Sequence, residues 1–143
     1  TGLEVQDVDL QERSITIRPN SIRTLKTKGS QRTLPLSQSA LEVLQEHRRG
    51  KGDTQPIFED YARPRGRDAA SAMLMKRLRR SITDKKLTMH SLRHRMKDKL
   101  RNTGCPEAIS LAILGHSTNT VAANYGSGYA LEVMREHLDK TWS

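Results

Sequence analysis

The chain has 143 residues, a formal net charge of +9, one cysteine and 34% hydrophobic residues, enough for one domain with its own core and short for several. No apolar run of about 18 residues occurs, which excludes a membrane-spanning helix, and the opening Thr1-Gly2-Leu3-Glu4 has neither the basic nor the apolar region of a signal peptide. Cys105 cannot close an internal disulfide, which fits a reducing cytoplasm, and is expected as a buried thiol near a helix start.

Leu3 to Leu10 reads as the end of a helix or a turn leading into a strand. Ser14-Ile15-Thr16-Ile17-Arg18 alternates β-branched apolar and polar residues and ends at Pro19-Asn20. Ile22 to Lys28 and Gln31 to Leu36 are two further strand candidates around the turn Lys28-Gly29-Ser30, so the three predict a small antiparallel sheet. Ser37 or Ser39 caps a helix that carries Leu41, Val43 and Leu44 and continues to His47. Pro56-Ile57-Phe58 is a short buried strand or extended turn.

Arg63-Pro64-Arg65-Gly66-Arg67 is an arginine-rich loop. Asp68 is expected to cap the next helix, with Ala69, Ala72, Met73, Leu74, Leu78 and Ile82 inward and Lys76, Arg77, Arg79 and Arg80 outward. Charge is concentrated here: residues 1–60 hold nine basic and nine acidic side chains, whereas residues 63–101 hold fourteen basic and three acidic. Such one-sided charge suits a polyanion, and DNA is the expected partner.

Thr88 caps a helix whose His90, Arg93, His94, Lys97 and Arg101 share one face while Met89, Leu92, Met96 and Leu100 share the other. Gly104 stops it and Pro106 starts the next, with Ile109, Ala112 and Ile113 inward. Gly115 ends that helix and hands the chain to His116. A short helix capped by Ser117, Thr118 or Asn119 would carry Tyr125 into the same cleft. A last helix, Ala130 to Lys140, has a narrow apolar stripe of Leu131, Met134 and Leu138, able to dock on a neighbouring protomer or fold back on its own domain.

His90-x-x-Arg93-His94, Leu114-Gly115-His116 and Tyr125 nine positions after that histidine together resemble the tyrosine recombinase, or phage integrase, family. Lys28-Gly29-Ser30-Gln31-Arg32-Thr33-Leu34-Pro35-Leu36 resembles that family's lysine hairpin, K-G-x-x-R-x-x-P-L. The resemblance implies a mainly helical α+β catalytic domain with a small three-stranded antiparallel sheet. It implies site-specific recombination through a 3′-phosphotyrosyl intermediate. Tyr125 then resembles the nucleophile, Arg93 the second of two phosphate-holding arginines, His90 a proton-transfer residue, His116 a hydrogen-bond partner of the scissile phosphate and Lys28 the general acid for the leaving 5′ oxygen.

No metal or other cofactor is called for. A zinc pair of His90 and His94 has the i, i+4 spacing but no third placed ligand, so His94 is read as a supporting, phosphate-side residue. Arg63, Arg65, Arg67, Lys76, Arg77, Arg80, Lys97 and Arg101 are the remaining DNA-contact candidates. Tyr129 lies thirteen positions after His116 and is read as a packing residue.

The family's first arginine belongs to a TGxRxxE-like segment upstream of what Leu3 to Leu10 resembles, so residues 1–143 are expected to be a partial catalytic domain without the N-terminal DNA-binding domains. The intact protein would act as a homotetramer on DNA, in the bacterial cytoplasm, with accessory DNA-bending proteins as possible helpers. A type IB topoisomerase-like relaxing enzyme and a non-enzymatic DNA-binding module on the same fold are the alternatives.

Overall fold

The computed structural model describes residues 2–25, 30–116 and 128–142. Two short strands, β1 (Val8–Asp9) and β2 (Ser14–Ile17), and a third, β3 (Arg32–Pro35), form an antiparallel sheet in the order β1-β2-β3. Val8 pairs with Ile15, and Ser14 through Ile17 pair with Pro35 through Arg32. Five helices follow: α1 (Gln38–His47), α2 (Gly66–Leu78), α3 (Met89–Asn102), α4 (Glu107–Leu114) and α5 (Leu131–Trp142). The α+β class expected from the sequence is the one found.

The sheet differs from expectation in its membership. Ile22 to Thr24, predicted as strand, curls into a turn because Asn20 Oδ1 accepts from the backbone N–H of Ile22 (3.0 Å) and Arg23 (2.8 Å). The remainder of that stretch, through Lys28, is described only as far as Leu25. The third strand is instead Val8–Asp9, joined to β2 through a turn in which Asp9 Oδ1 accepts from Gln11 and Glu12. Arg13 ends this turn with φ at +45°, and its guanidinium reaches the Leu36 carbonyl and Asp139 on α5.

Two hydrophobic clusters hold the elements. Val5, Val8, Leu36, Leu44 and Ile57 form the first, beneath the sheet and α1. Ser37 caps α1 as expected, its Oγ accepting from the Ala40 N–H, and Ile57 closes the cluster by donating its N–H to the Leu3 carbonyl. Leu100, Cys105, Ile109, Leu114 and Met134 form the second, where α3, α4 and α5 meet. Cys105 is buried there, as expected, and burial pushes its thiol pKa up.

Three further expectations are corrected. Helix α2 begins at Gly66, after Arg65 in the left-handed region, instead of being capped by Asp68. Its Ala72, Met73 and Leu74 are exposed, because the main contacts of α2, with the 59–61 turn and with α3, leave that face uncovered. Leu92, placed on the core face of α3, is also exposed; the inward residues of that helix are Leu100 and Met96. Helix α5 packs against β3 and α3 of its own domain through Met134 and Leu138, with Lys99 donating to the Thr141 carbonyl and lying over the Trp142 ring.

A buried ionic knot ties the first strand to the turn at 20–23. Asp7, with no side-chain exposure, accepts the Glu4 N–H and sits between Arg18 and Arg23. Arg18 Nε lies 2.6 Å from Asp7 Oδ1, close enough for strong attraction but off the N–H axis of an aligned hydrogen bond. By contrast, Asp68 faces Arg65 and Arg67 at 3.6 Å with side chains mostly in solvent, where pairs contribute at most about 1 kcal/mol. Asp7→Ala is therefore expected to lower stability by about 3 kcal/mol, since it leaves the partly buried Arg23 guanidinium without its carboxylate and the buried Glu4 N–H without its acceptor, while Arg18 keeps Glu4. Asp68→Ala should change it by less than about 0.5 kcal/mol. Urea midpoints of the two variants measure the contrast, and equal losses would contradict it.

Candidate active site

The site is assembled where the middle of α3 meets the end of α4. Helix α3 starts at Thr88 with a reciprocal capping box: the Thr88 side chain accepts from the backbone N–H of Ser91, and Ser91 Oγ accepts from the Thr88 N–H at 3.0 Å. The cap fixes the helix phase, and with it the direction in which Arg93 leaves the backbone.

Helix α4 stops on Gly115, whose φ of +64° is left-handed. The Gly115 N–H bonds back to the Ala112 carbonyl (3.1 Å) and the His116 N–H to the Leu111 carbonyl (2.9 Å), the paired closure of a Schellman motif. This closure sets where His116 emerges and leaves the Leu114 carbonyl for an outside donor. Arg93 takes both: its Nη2 donates to the Leu114 carbonyl, and its Nε donates to His116 Nε2 at 3.2 Å.

An arginine nitrogen can only donate, so Nε2 of His116 is the unprotonated nitrogen of a neutral ring whose Nδ1 carries the hydrogen. Lost hydration, and then the positive charge of Arg93, Lys97 and His90, holds the His116 pKa below the ordinary imidazole value. The arrangement can therefore present a guanidinium and an imidazole N–H together to an anionic oxygen.

His90 and His94 lie one turn apart on α3, their rings edge to face with centroids 4.9 Å apart. Arg93, His116, His90 and Lys97 are thus brought to one locality, with His94 beside them. Arg101 lies two turns along α3 from Arg93 and faces Asp98. Arg63, Arg65 and Arg67 are exposed at the start of α2, bordering a cavity of about 420 Å³ shared with the 21–24 turn. Lys76, Arg77 and Arg80 are exposed at its other end. Tyr129 is 44% exposed, not packed as expected, and borders a cavity between β3 and α5. Lys28, Tyr125 and the expected cap at 117–119 fall outside the described residues.

Arg32, which no reading of the sequence singled out beyond its place in the hairpin pattern, enters this locality from β3. Its guanidinium lies directly against Gly115: a Cβ built on that glycine would stand 2.2 Å from Arg32 Cζ. The sequence signal was the pairing of a strand-end arginine with a helix-stop glycine, but nothing local links the two.

Two outcomes follow from this geometry. Gly104 has a similar φ, +74°, but open space where its Cβ would go. Gly104→Ala should therefore lose only the left-handed penalty, about 1–2 kcal/mol, whereas Gly115→Ala must also expel Arg32 and should lose clearly more in a urea titration. Followed by NMR, the His116 imidazole should titrate below ordinary histidine, and Arg93→Gln should raise its pKa by removing a neighbouring positive charge. An unchanged titration in that variant would contradict the contact.

The whole constellation, from Lys28 to Tyr125, lies within residues 1–130, and those residues match the model of the phage integrase family. The chain is also 26% identical over 133 residues to tyrosine recombinase XerD of Corynebacterium glutamicum, an alignment covering 87% of this chain and 44% of that protein. It therefore spans less than half the length of that relative. No solved structure matches it. A family match over that range establishes that this chain belongs to the phage integrase family of tyrosine recombinases.

Proposed function

We propose that the chain is the catalytic part of a longer site-specific recombinase that cuts and rejoins double-stranded DNA for integration or excision. The observation that carries this reading is the Arg93–His116 junction, in which a cation and a neutral imidazole are pre-set beside one another by a helix stop. Donors fixed before charge develops on a pentavalent phosphorus are what such a reaction requires.

In this reading the Tyr125 hydroxyl attacks the scissile phosphorus. A bond forms between Tyr125 Oη and phosphorus, the bond from phosphorus to the 5′ oxygen breaks, and the phosphodiester energy is kept in the 3′-phosphotyrosyl link. A phenol with a pKa near ~10 needs help to lose its proton, and His90 takes part in that transfer. Lys28 protonates the departing 5′ oxygen. Arg93 and His116 hold the non-bridging oxygens, and attack by a new 5′ hydroxyl reverses the sequence and reseals DNA.

The basic residues Arg63, Arg65, Arg67, Lys76, Arg77, Arg80, His94, Lys97 and Arg101 are assigned to the DNA backbone, and the exposure of all but the half-buried Lys97 supports this. The intact protein is proposed to work as a homotetramer on DNA in the cytoplasm, with DNA-bending proteins as accessory partners.

The test uses the recombinase that includes this chain and a nicked suicide substrate. A covalent protein–DNA adduct is expected; Tyr125→Phe should abolish it and Tyr129→Phe should not. His116→Ala should slow adduct formation by about 10²–10³, the effect of losing one pre-set donor. DNA binding by the 143-residue chain should weaken linearly on a plot of log affinity against log salt. An adduct that survives Tyr125→Phe, or binding indifferent to salt, would overturn the reading.

A further inference from the structure

Helix α2 contributes no buried residue to either hydrophobic cluster, and of its 13 residues only Gly66 is buried. Its N-terminal half carries Ala69, Ala70, Ser71 and Ala72, so the backbone there is thinly covered, and cations gather toward its other end. Arg79, just past that end, is spent on the fold, donating to the carbonyls of Asp84 (2.8 Å), Lys85 (3.2 Å) and Leu87 (2.7 Å). Lys76, Arg77 and Arg80 are exposed and make no side-chain hydrogen bond or ion pair among the described residues.

Met73 lies among these three cations. Positions three, four and seven beyond a residue share its face of a helix, and for Met73 they are Lys76, Arg77 and Arg80, the last in the turn that continues α2. Met73 is 42% exposed. Exposed apolar side chains are ordinary on a protein surface, but of the large ones on the described helices Met73 alone has a cation at all three positions. Val43 and Val133 have a glutamate at i+3, Leu74 has Leu78 at i+4 and Leu92 has Met96 there.

That ring of positive charge decides what can cover the methionine. An apolar protein surface would take three cations out of water without a counter-charge. A DNA duplex instead lines its grooves with phosphates, and its major groove, about 12 Å wide, admits an α-helix and shows one apolar group on the base edges, the thymine C5-methyl. The unbranched, polarisable methionine side chain adapts readily to such a methyl group. We propose that α2 enters the major groove and that Met73 reads a thymine methyl there. Lys76, Arg77 and Arg80 hold phosphates, which fixes the register of the helix but carries no sequence information. The proposal rests on the recombinase reading for its DNA partner; it adds the residue that chooses sequence, on an element separate from the Arg93–His116 junction.

The experiment selects binders of the 143-residue chain from a pool of DNA duplexes with a randomised centre and sequences them. Wild type should enrich thymine at a fixed position. Deoxyuridine at that position of the enriched duplex removes only the methyl group and should weaken wild type about fourfold, the worth of one buried methyl. Met73→Ala, which favours the helix, should lose the enrichment, bind the thymine and deoxyuridine duplexes equally and keep the wild-type salt dependence. Met73→Leu, still apolar, should keep the preference. Arg77→Gln should weaken all duplexes alike and lower the salt slope by about one. Val43→Ala, beside Glu42 and Glu46 on α1, should bind as wild type does. Thymine enrichment that survives Met73→Ala, or equal affinity of wild type for the thymine and deoxyuridine duplexes, would overturn the proposal. Salt-dependent binding without any thymine preference would overturn it while leaving the recombinase reading in place, and would make a protein the occupant of this face. A Met73-dependent thymine preference in a protein that forms no tyrosyl adduct would leave this inference standing while the recombinase reading fell.

Discussion

The contact on which the rest depends is the double grip of Arg93 on the end of α4. One guanidinium holds a helix-terminal carbonyl and the imidazole that follows it, so the positions of α3, α4 and His116 are set by a single side chain. The grip needs three conditions. Thr88 must fix the phase of α3, Gly115 must take a left-handed backbone that turns His116 outward, and the Leu100, Cys105, Ile109 and Leu114 cluster must keep the two helices in register. Failure of any one misplaces the imidazole by more than a hydrogen bond tolerates.

The sheet takes part in this arrangement although it lies in a different hydrophobic cluster. Strand β3 sends Arg32 onto Gly115, while α5 packs on β3 and contributes Met134 to the helical core. Arg13 and Arg135 add polar ties between the β1–β2 turn and α5. The two clusters are thus joined by α5 and by arginines, and the charge concentrated at the helix junction is positive on both sides.

What could be read from the residues was what local chemistry dictates. The cap at Thr88, the stop at Gly115, the Gly104–Pro106 change of direction and the basic face of α3 each follow from a few neighbouring side chains, and each is found. The edge strand Val8–Asp9 was not legible as such, because two residues carry no alternation. Ile22 to Thr24 looked like a strand by composition, and the turn made by Asn20 prevailed. Met73 and Leu74 looked like core because their helix spacing is sound, but the main contacts of α2 leave that face uncovered. Arg32 was hidden for a different reason: its partner Gly115 is 83 positions away, and only the folded sheet brings them together.

The central claim is that Arg93 and His116 act as one unit on the phosphate. A double-mutant cycle in single-turnover DNA cleavage tests it, using Arg93→Lys, His116→Gln and the pair in the longer recombinase proposed above. Residues that share one contact are expected to couple by about 0.5–3 kcal/mol, so the double variant should lose less rate than the product of the two single losses. Losses that multiply fully would mean that the two side chains act independently, and would contradict the account.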